Sequence, residues 1–89
     1  MQRQPLTPSS LSAGSAEALR SLREVIAIDQ ETLAERADLD AAVVAKIEEG
    51  DYIPSLIEIN QLAAGLGLLT YYLVATIELF GGQDELKAC

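Results

Sequence analysis

Residues 19–68 read LRSLREVIAIDQETLAERADLDAAVVAKIEEGDYIPSLIEINQLAAGLGL. Apolar and small residues recur in this stretch at the three- and four-residue spacing of amphipathic helices. Polar capping residues and glycines separate one apolar run from the next. The stretch therefore predicts several short helices that pack on a shared core.

The first helix is predicted to follow Ser15, its candidate N-cap. Its inward stripe comprises Ala16, Leu19, Leu22, Val25 and Ile26. Asp29 is predicted to cap a second helix that buries Leu33, Ala34 and Ala37. Residues 38–40 form a short turn, and Asp40 is predicted to cap a third helix that runs to about Glu49, ahead of Gly50. Two short helices joined by a three-residue turn are typical of a helix-turn-helix unit.

A fourth helix is predicted between Ser55 and Gly67. Its stripe comprises Leu56, Ile59, Leu62, Ala63 and Leu66. Residues 68–80 keep a helical spacing that ends at Gly81-Gly82, yet Thr, Tyr, Val and Ile are also strand formers. We favour a fifth helix there and keep a strand as the alternative. The fold predicted is all-α, a five-helix bundle with a flexible N-terminal arm.

Composition sets the domain plan and excludes several classes of protein. Pro, Ser and Gly are frequent in residues 1–15, so we predict a flexible arm there, a domain over 16–80 and a tail over 81–89. The chain has no histidine and one cysteine, Cys89. Zinc fingers and histidine catalysis are therefore excluded, and we expect neither an enzyme nor a cofactor or metal site. Without a signal peptide or a run long enough to span a bilayer, we expect a cytoplasmic protein with no membrane contact.

The stretch resembles the Xre or Cro/repressor helix-turn-helix family at many fixed offsets. The matching positions are Leu19-Arg20, Leu22-Arg23, Gln30-Glu31, Leu33-Ala34-Glu35, Leu39, Lys46-Ile47-Glu48, Gly50, Pro54-Ser55-Leu56, Leu62-Ala63 and Leu66-Gly67. The resemblance implies a bundle in which helix three lies in the major groove of DNA. It also implies a dimeric transcriptional regulator, a restriction-modification controller or an antitoxin. Asp38 replaces the usual turn glycine, and Asp tolerates the left-handed conformation that this turn needs.

The resemblance also implies which residues contact double-stranded DNA. They are Gln30 at the start of helix two, Ala41, Ala42, Val43 and Lys46 on helix three, and Arg20 and Arg23 as phosphate contacts. Alternatively, Arg20 and Arg23 only solvate helix faces, which is the interpretation we favour for Arg36. Alanine and valine can contact a thymine methyl group but cannot donate a hydrogen bond to a base.

Charge gives a second hypothesis. The formal net charge is −8, and residues 17–66 hold four basic residues against eleven acidic ones. Such a surface repels DNA unless the basic residues cluster. Glu48 matches a common family glutamate with a structural role, for instance a bond to the backbone or to an arginine, whereas Glu49 and Asp51 depart from the pattern. The alternative function is a protein-interaction module, or an antitoxin-like partner of a toxin, with weak or no DNA binding.

The segment LLTYYLVATIELF, residues 68–80, is more apolar than the last element of a small monomer needs. In the family, the matching region commonly builds a two-fold dimer. The predicted homodimer interface comprises Leu69, Tyr72, Leu73, Thr76, Ile77 and Phe80. The alternative is that this segment only closes the core of one chain.

Overall fold

The computed structural model describes the backbone of residues 8–87 and the side chains of residues 11–81. Within that range the chain forms α1 Pro8–Val25, α2 Gln30–Ala37, α3 Ala41–Glu48, α4 Leu56–Leu66 and α5 Thr70–Lys87, and the described residues include no strand. The prediction of an all-α, five-helix fold is confirmed. Residues 70–80 are helical, so the strand alternative is wrong.

One apolar core joins all five helices. Its largest fully buried side chains are Leu19, Leu33, Val44, Ile47, Leu62 and Leu73. Burial of a Leu, Ile or Val side chain contributes about 1.5–3 kcal/mol relative to leaving it in water. Every helix supplies at least one of these residues, so the five helices share a single core.

Helix α2 is fixed at both ends. The Asp29 carboxylate caps α2 by accepting from the Thr32 amide at 2.7 Å. Asp38 ends α2 with φ 58° and ψ 45°, as expected for an aspartate in the usual glycine position. From α4, the Gln61 amide donates to the carbonyl oxygens of Ala37 at 3.2 Å and Asp38 at 3.3 Å. These bonds tie α4 to the end of α2 and to the first residue of the turn before α3.

Both ends of α4 follow the sequence. The Ser55 hydroxyl accepts from the Glu58 amide, and the Glu58 carboxylate accepts from the Ser55 amide, which completes a capping box. Gly67, with φ 76°, ends the helix. Asp40 precedes α3 in the N-cap position, but its side chain makes no capping hydrogen bond there, contrary to the prediction.

Three residues assigned to inward stripes are exposed. The exposed fractions are 79% for Val25, 39% for Ile26 and 74% for Leu56. Val25 ends α1, Ile26 lies just after it, and Leu56 begins α4. The apolar spacing therefore extends to the ends of α1 and α4, where a neighbouring helix no longer covers these side chains.

Helices α1 and α5 extend into the segments predicted as arm, 1–15, and tail, 81–89. Helix α1 begins at Pro8, in the first turn, where a missing backbone N–H costs nothing. Helix α5 runs through Gly81 to Lys87. A Cβ atom on Gly14 would lie 2.5 Å from the Ile77 carbonyl oxygen and 2.9 Å from the Gly81 nitrogen. Gly14 and Gly81 let the backbones of α1 and α5 touch. The composition of the segments around them predicted an arm and a tail instead. Residues 1–7 and 88–89, including Cys89, lie outside the described residues.

Within residues 8–87, no single helix is long and apolar enough to cross a membrane. Residues 56–66 of α4 and 70–81 of α5 reach that length and hydropathy only when taken together, and a bend of 106° separates them.

Candidate nucleic-acid interface

Helix α3 presents a narrow outward face. Ala42 and Lys46 are exposed and lie four residues apart, so they share one side of the helix. Ala41 and Val43 are half-buried and pack against the core. Four DNA-reading positions were predicted on α3. Two of them, Ala42 and Lys46, are exposed, and the other two are half-buried.

Glu48 is the centre of a hydrogen-bond network that joins three helices. Its side chain is 4% exposed. Arg23 of α1 donates through Nε to one carboxylate oxygen at 2.7 Å and through Nη2 to the other at 2.9 Å. Gln30, the first residue of α2, donates through Nε2 to Glu48 Oε1 at 3.0 Å. The expectation that Glu48 bonds an arginine is confirmed.

Arg23 is largely covered by the protein in this network. Its side chain is 15% exposed, and its third nitrogen, Nη1, donates to the Ile28 carbonyl at 2.9 Å. The hydrogen bond to Glu48 raises the pKa of Arg23 above its ordinary value, against a smaller opposing effect of burial. Three of the five N–H groups of Arg23 are therefore bonded within the protein, so it is not a solvated surface charge, and its role as a phosphate contact stays a prediction.

Arg20 is held more loosely. Its Nη2 donates to Glu17 at 2.9 Å, and its Nη1 lies 3.4 Å from the Glu48 carbonyl oxygen. The side chain remains 41% exposed, so part of the guanidinium faces water. Arg20 is thus the one of the two predicted phosphate contacts that keeps an accessible charge.

Exposed acidic side chains surround the outward face of α3. Glu31, Asp38, Asp40, Glu49 and Asp51 are all exposed. Lys46 and Arg36 are the exposed cations between residues 11 and 81, beside the half-buried Arg20, whose side chain is 41% exposed. The basic residues therefore do not form a broad patch in the described part of the chain.

A second surface lies on α4 and α5. Leu73 and Ile77, two predicted dimer-interface residues, are 1% and 6% exposed and belong to the core of the single chain. They are corrected to core residues, because an i, i+4 pair on α5 faces α1. Leu69 and Tyr72 are 77% and 54% exposed and remain available to a partner. Thr76 and Phe80, the other two predicted positions, are half-buried.

Sequence reasoning missed Ile57, which is 74% exposed. On α4 it shares a face with Asn60 and Ala64, both exposed. The Thr70 hydroxyl donates to Asn60 Oδ1, which brings this face beside the start of α5. The signal was present in the sequence, since Ile57 is an apolar residue off the buried stripe of α4.

Comparisons with known proteins give the family. A family model described as helix-turn-helix matches residues 19–73, more than half of the chain. The crystal structure of the restriction-modification controller protein C.AhdI from Aeromonas hydrophila is similar, with 34% identity and a TM-score of 0.67 over 70% of this chain and 94% of that one. The chain therefore belongs to the Xre/Cro-like helix-turn-helix family. Its class is that of DNA-binding transcriptional regulators.

Two further structures share the fold. A hypothetical transcription factor from Neisseria, NHTF, is 28% identical with a TM-score of 0.69 over 99% of this chain and 93% of that one. A variant of a second restriction-modification controller is 18% identical with a TM-score of 0.70 over 75% and 85% of the two chains, a likeness that shows the fold alone. No curated protein sequence matches this chain.

Proposed function

We propose that this protein is a cytoplasmic, dimeric regulator that places α3 of each protomer in the major groove of DNA. The observation that carries the proposal is the geometry of α2, the Asp38 turn and α3, which the Gln61 bonds hold in place. In this class, the two α3 helices of a dimer lie in successive major grooves about 34 Å apart. The 34% identity to C.AhdI supports a role in controlling restriction-modification genes.

The dimer forms through the surface of α4 and α5. Leu69, Tyr72 and Ile57 expose more than half of their area, although all three are large and apolar or aromatic. A domain this small buries little surface alone, and a self-complementary apolar patch is what a two-fold interface requires. The Tyr72 ring packs in the interface while its hydroxyl remains at the wet rim.

The residues on the DNA-facing side of α3 can form few hydrogen bonds with bases. Ala42 offers a methyl group, which suits the C5-methyl of thymine, and Lys46 offers donors for guanine O6 and N7 or for a phosphate. Arg23 offers DNA less than Arg20 and Lys46 do, because Glu48 and the Ile28 carbonyl take three of its five N–H groups. Binding therefore depends on a small number of cations, Arg20 and Lys46 foremost.

The test is binding of the full chain to duplex DNA from upstream of its own gene, across a salt series. Each phosphate contact contributes about −0.9 to the slope of log affinity against log salt. With two or three contacts per protomer, we expect a slope of about −4 to −5 for the dimer. Lys46→Ala is expected to flatten the slope by about 2, one contact per protomer, and Arg36→Ala is the matched exposed control. Absence of any salt-sensitive complex at micromolar protein would overturn the proposal.

A second candidate function follows from the acidic residues beside α3. Exposed Asp40, Glu49 and Asp51 form a surface that suits a basic protein partner, such as a toxin, better than a polyanion. Capture experiments with the full chain distinguish the two candidates. Recovery of nucleic acid alone rejects the second, and recovery of a stoichiometric basic protein that competes with DNA supports it.

A further inference from the structure

Gln30 stands at the edge of the predicted DNA face and is fixed by a buried charge. Its Nε2 donates to Glu48 Oε1 at 3.0 Å, and Glu48 is in turn held by two bonds from Arg23. Glu48 is 6% exposed, whereas Gln30 is half-buried. One end of the Gln30 amide is therefore anchored inside the protein while the rest reaches the surface.

The chemistry of Glu48 decides which end of the amide is anchored. Because the Arg23 guanidinium is always charged, its partner is a carboxylate, which accepts hydrogen bonds and donates none. A glutamine amide that turned over would place its carbonyl oxygen against that carboxylate, and two acceptors would face each other. The Gln30 nitrogen must therefore face Glu48, and the carbonyl oxygen Oε1 must face away.

We propose that Glu48 is a positioning residue that sets the polarity of Gln30, so that Gln30 reads adenine through its carbonyl oxygen. The inference rests on the proposed function, because it assigns a target to a residue of the same DNA face. It also narrows the DNA contact that family resemblance implies for Gln30 to a base. Phosphate oxygens only accept hydrogen bonds, so a phosphate can take only the second N–H of the amide, whereas a base amino group also pairs with the outward carbonyl.

The major-groove edges of the bases select the partner. Adenine N6 and cytosine N4 are the amino donors there, whereas guanine and thymine present acceptors. Adenine also offers N7 to the second N–H of the amide, which cytosine lacks. Gln30 should therefore prefer adenine at one position of each half-site, by about tenfold over guanine or thymine.

Selection from a random-sequence duplex pool tests this preference with the full-length chain. The wild type should enrich adenine at one position per half-site, and Gln30→Ala should lose the enrichment at that position alone. Glu48→Gln keeps the shape but removes the charge, so both amide orientations become allowed. We expect the preference to fall from about tenfold to below twofold there, with the rest of the site unchanged. An unchanged adenine preference in folded Glu48→Gln would overturn the inference.

A control separates positioning from stability. Ser55→Ala weakens a helix cap far from Gln30 and should leave every selected base unchanged. If it relaxed the same position as Glu48→Gln, a general loss of stability would explain the result and the inference would fail. If no duplex were selected by any variant, including the wild type, the proposed function itself would fail.

Two measurements on the wild type apply even if Glu48→Gln does not fold. Replacement of the selected adenine by purine, which keeps N7 but lacks the N6 amino group, should weaken binding about tenfold. One side-chain amide proton of Gln30 should also lie downfield of the other glutamine side-chain amide protons in the free protein, because that N–H is bonded to a carboxylate. Equal affinity for purine, or an unshifted amide proton, would count against the inference.

Discussion

The helix-turn-helix unit, α2 to α4, and the terminal pair, α1 and α5, both contain a helix crossing at a glycine, but the crossings differ. A Cβ atom on Gly65 of α4 would lie 3.0 Å from the Ala37 nitrogen and 3.2 Å from Leu33 Cδ1. A Cβ atom on Gly14 would lie 2.5 Å from the Ile77 carbonyl oxygen. At Gly65 two of the three nearest atoms are side-chain carbons, 3.1 and 3.2 Å away, whereas at Gly14 all three are backbone atoms and the nearest is 2.5 Å away.

This difference explains what each region tolerates. Side chains can shift by a few tenths of an ångström when a neighbour grows, but the backbone of a helix moves only as a body. The two regions are joined by the Arg23–Glu48 pair, which links α1 to α3. The DNA-facing helix therefore depends on the terminal pair for its buried counter-charge.

Removal of that link should have the largest effect on stability. Arg23→Ala leaves the Glu48 carboxylate buried and without its charged partner, which costs about 3–5 kcal/mol in comparable pairs. Urea unfolding measures the change in the free energy of unfolding. Arg36→Ala, an exposed arginine, is the control and should stay within about 0.5 kcal/mol of wild type. Similar values for the two variants would mean that the pair does not join the two regions.

The two glycine crossings should respond differently to one methyl group. Gly14→Ala forces the backbones of α1 and α5 apart, and we expect a loss of about 2–3 kcal/mol. Gly65→Ala meets the Ala37 nitrogen at 3.0 Å and the Ala37 and Leu33 side chains at 3.1 and 3.2 Å, a milder overlap, and the better helix propensity of alanine returns about 0.5–1 kcal/mol. We therefore expect Gly65→Ala to lie within about 1 kcal/mol of wild type. The reverse order in urea unfolding would contradict the backbone-contact interpretation.

The unit was largely predictable from sequence because its signals are local. The Asp29 cap, the left-handed Asp38 and the Ser55 cap each act within four residues, and the structure confirms all three. The bounds of α1 and α5 differ from the prediction because, judged from neighbouring residues alone, Gly14 indicates a flexible segment and Gly81 a helix end. Their role depends on contact between residues more than sixty positions apart, which no local pattern reports.

The DNA face shows the same limit. Position in the family motif identified Gln30, Arg23 and Glu48, and a bond from Glu48 to an arginine was expected. The commitment of Arg23 and Gln30 to one shared carboxylate was not, because it needs three helices at fixed distances. At the second surface, helical spacing grouped Leu73 and Ile77 with Leu69, although α1 covers only the first two.

A smaller difference is expected between the two N-cap residues of the unit. Ser55 completes a capping box, so Ser55→Ala should lower the free energy of unfolding by about 1 kcal/mol. Asp40 occupies the same position before α3 without a side-chain capping bond, so Asp40→Ala should change it by less than about 0.5 kcal/mol. Thermal or urea unfolding of both variants measures the contrast. Equal losses would show that Asp40 caps α3 in solution.

The smallest effect should appear as a pH dependence within the unit. The Ser55 backbone amide, with lesser hydrogen bonds from Tyr52 and the Ser55 side chain, lowers the pKa of Glu58 from its ordinary 4.5. A lowered pKa in the folded state contributes stability above the unfolded value, and that contribution is lost as pH falls through the folded pKa. Glu58→Gln cannot titrate, so the difference in unfolding free energy between it and wild type should shrink below pH 4.5. Asp29, whose pKa the Thr32 bonds also lower, continues to titrate in both proteins and so cancels from the difference. A difference that is constant from pH 7 to pH 3 would mean that the Glu58 carboxylate is not part of the α4 cap.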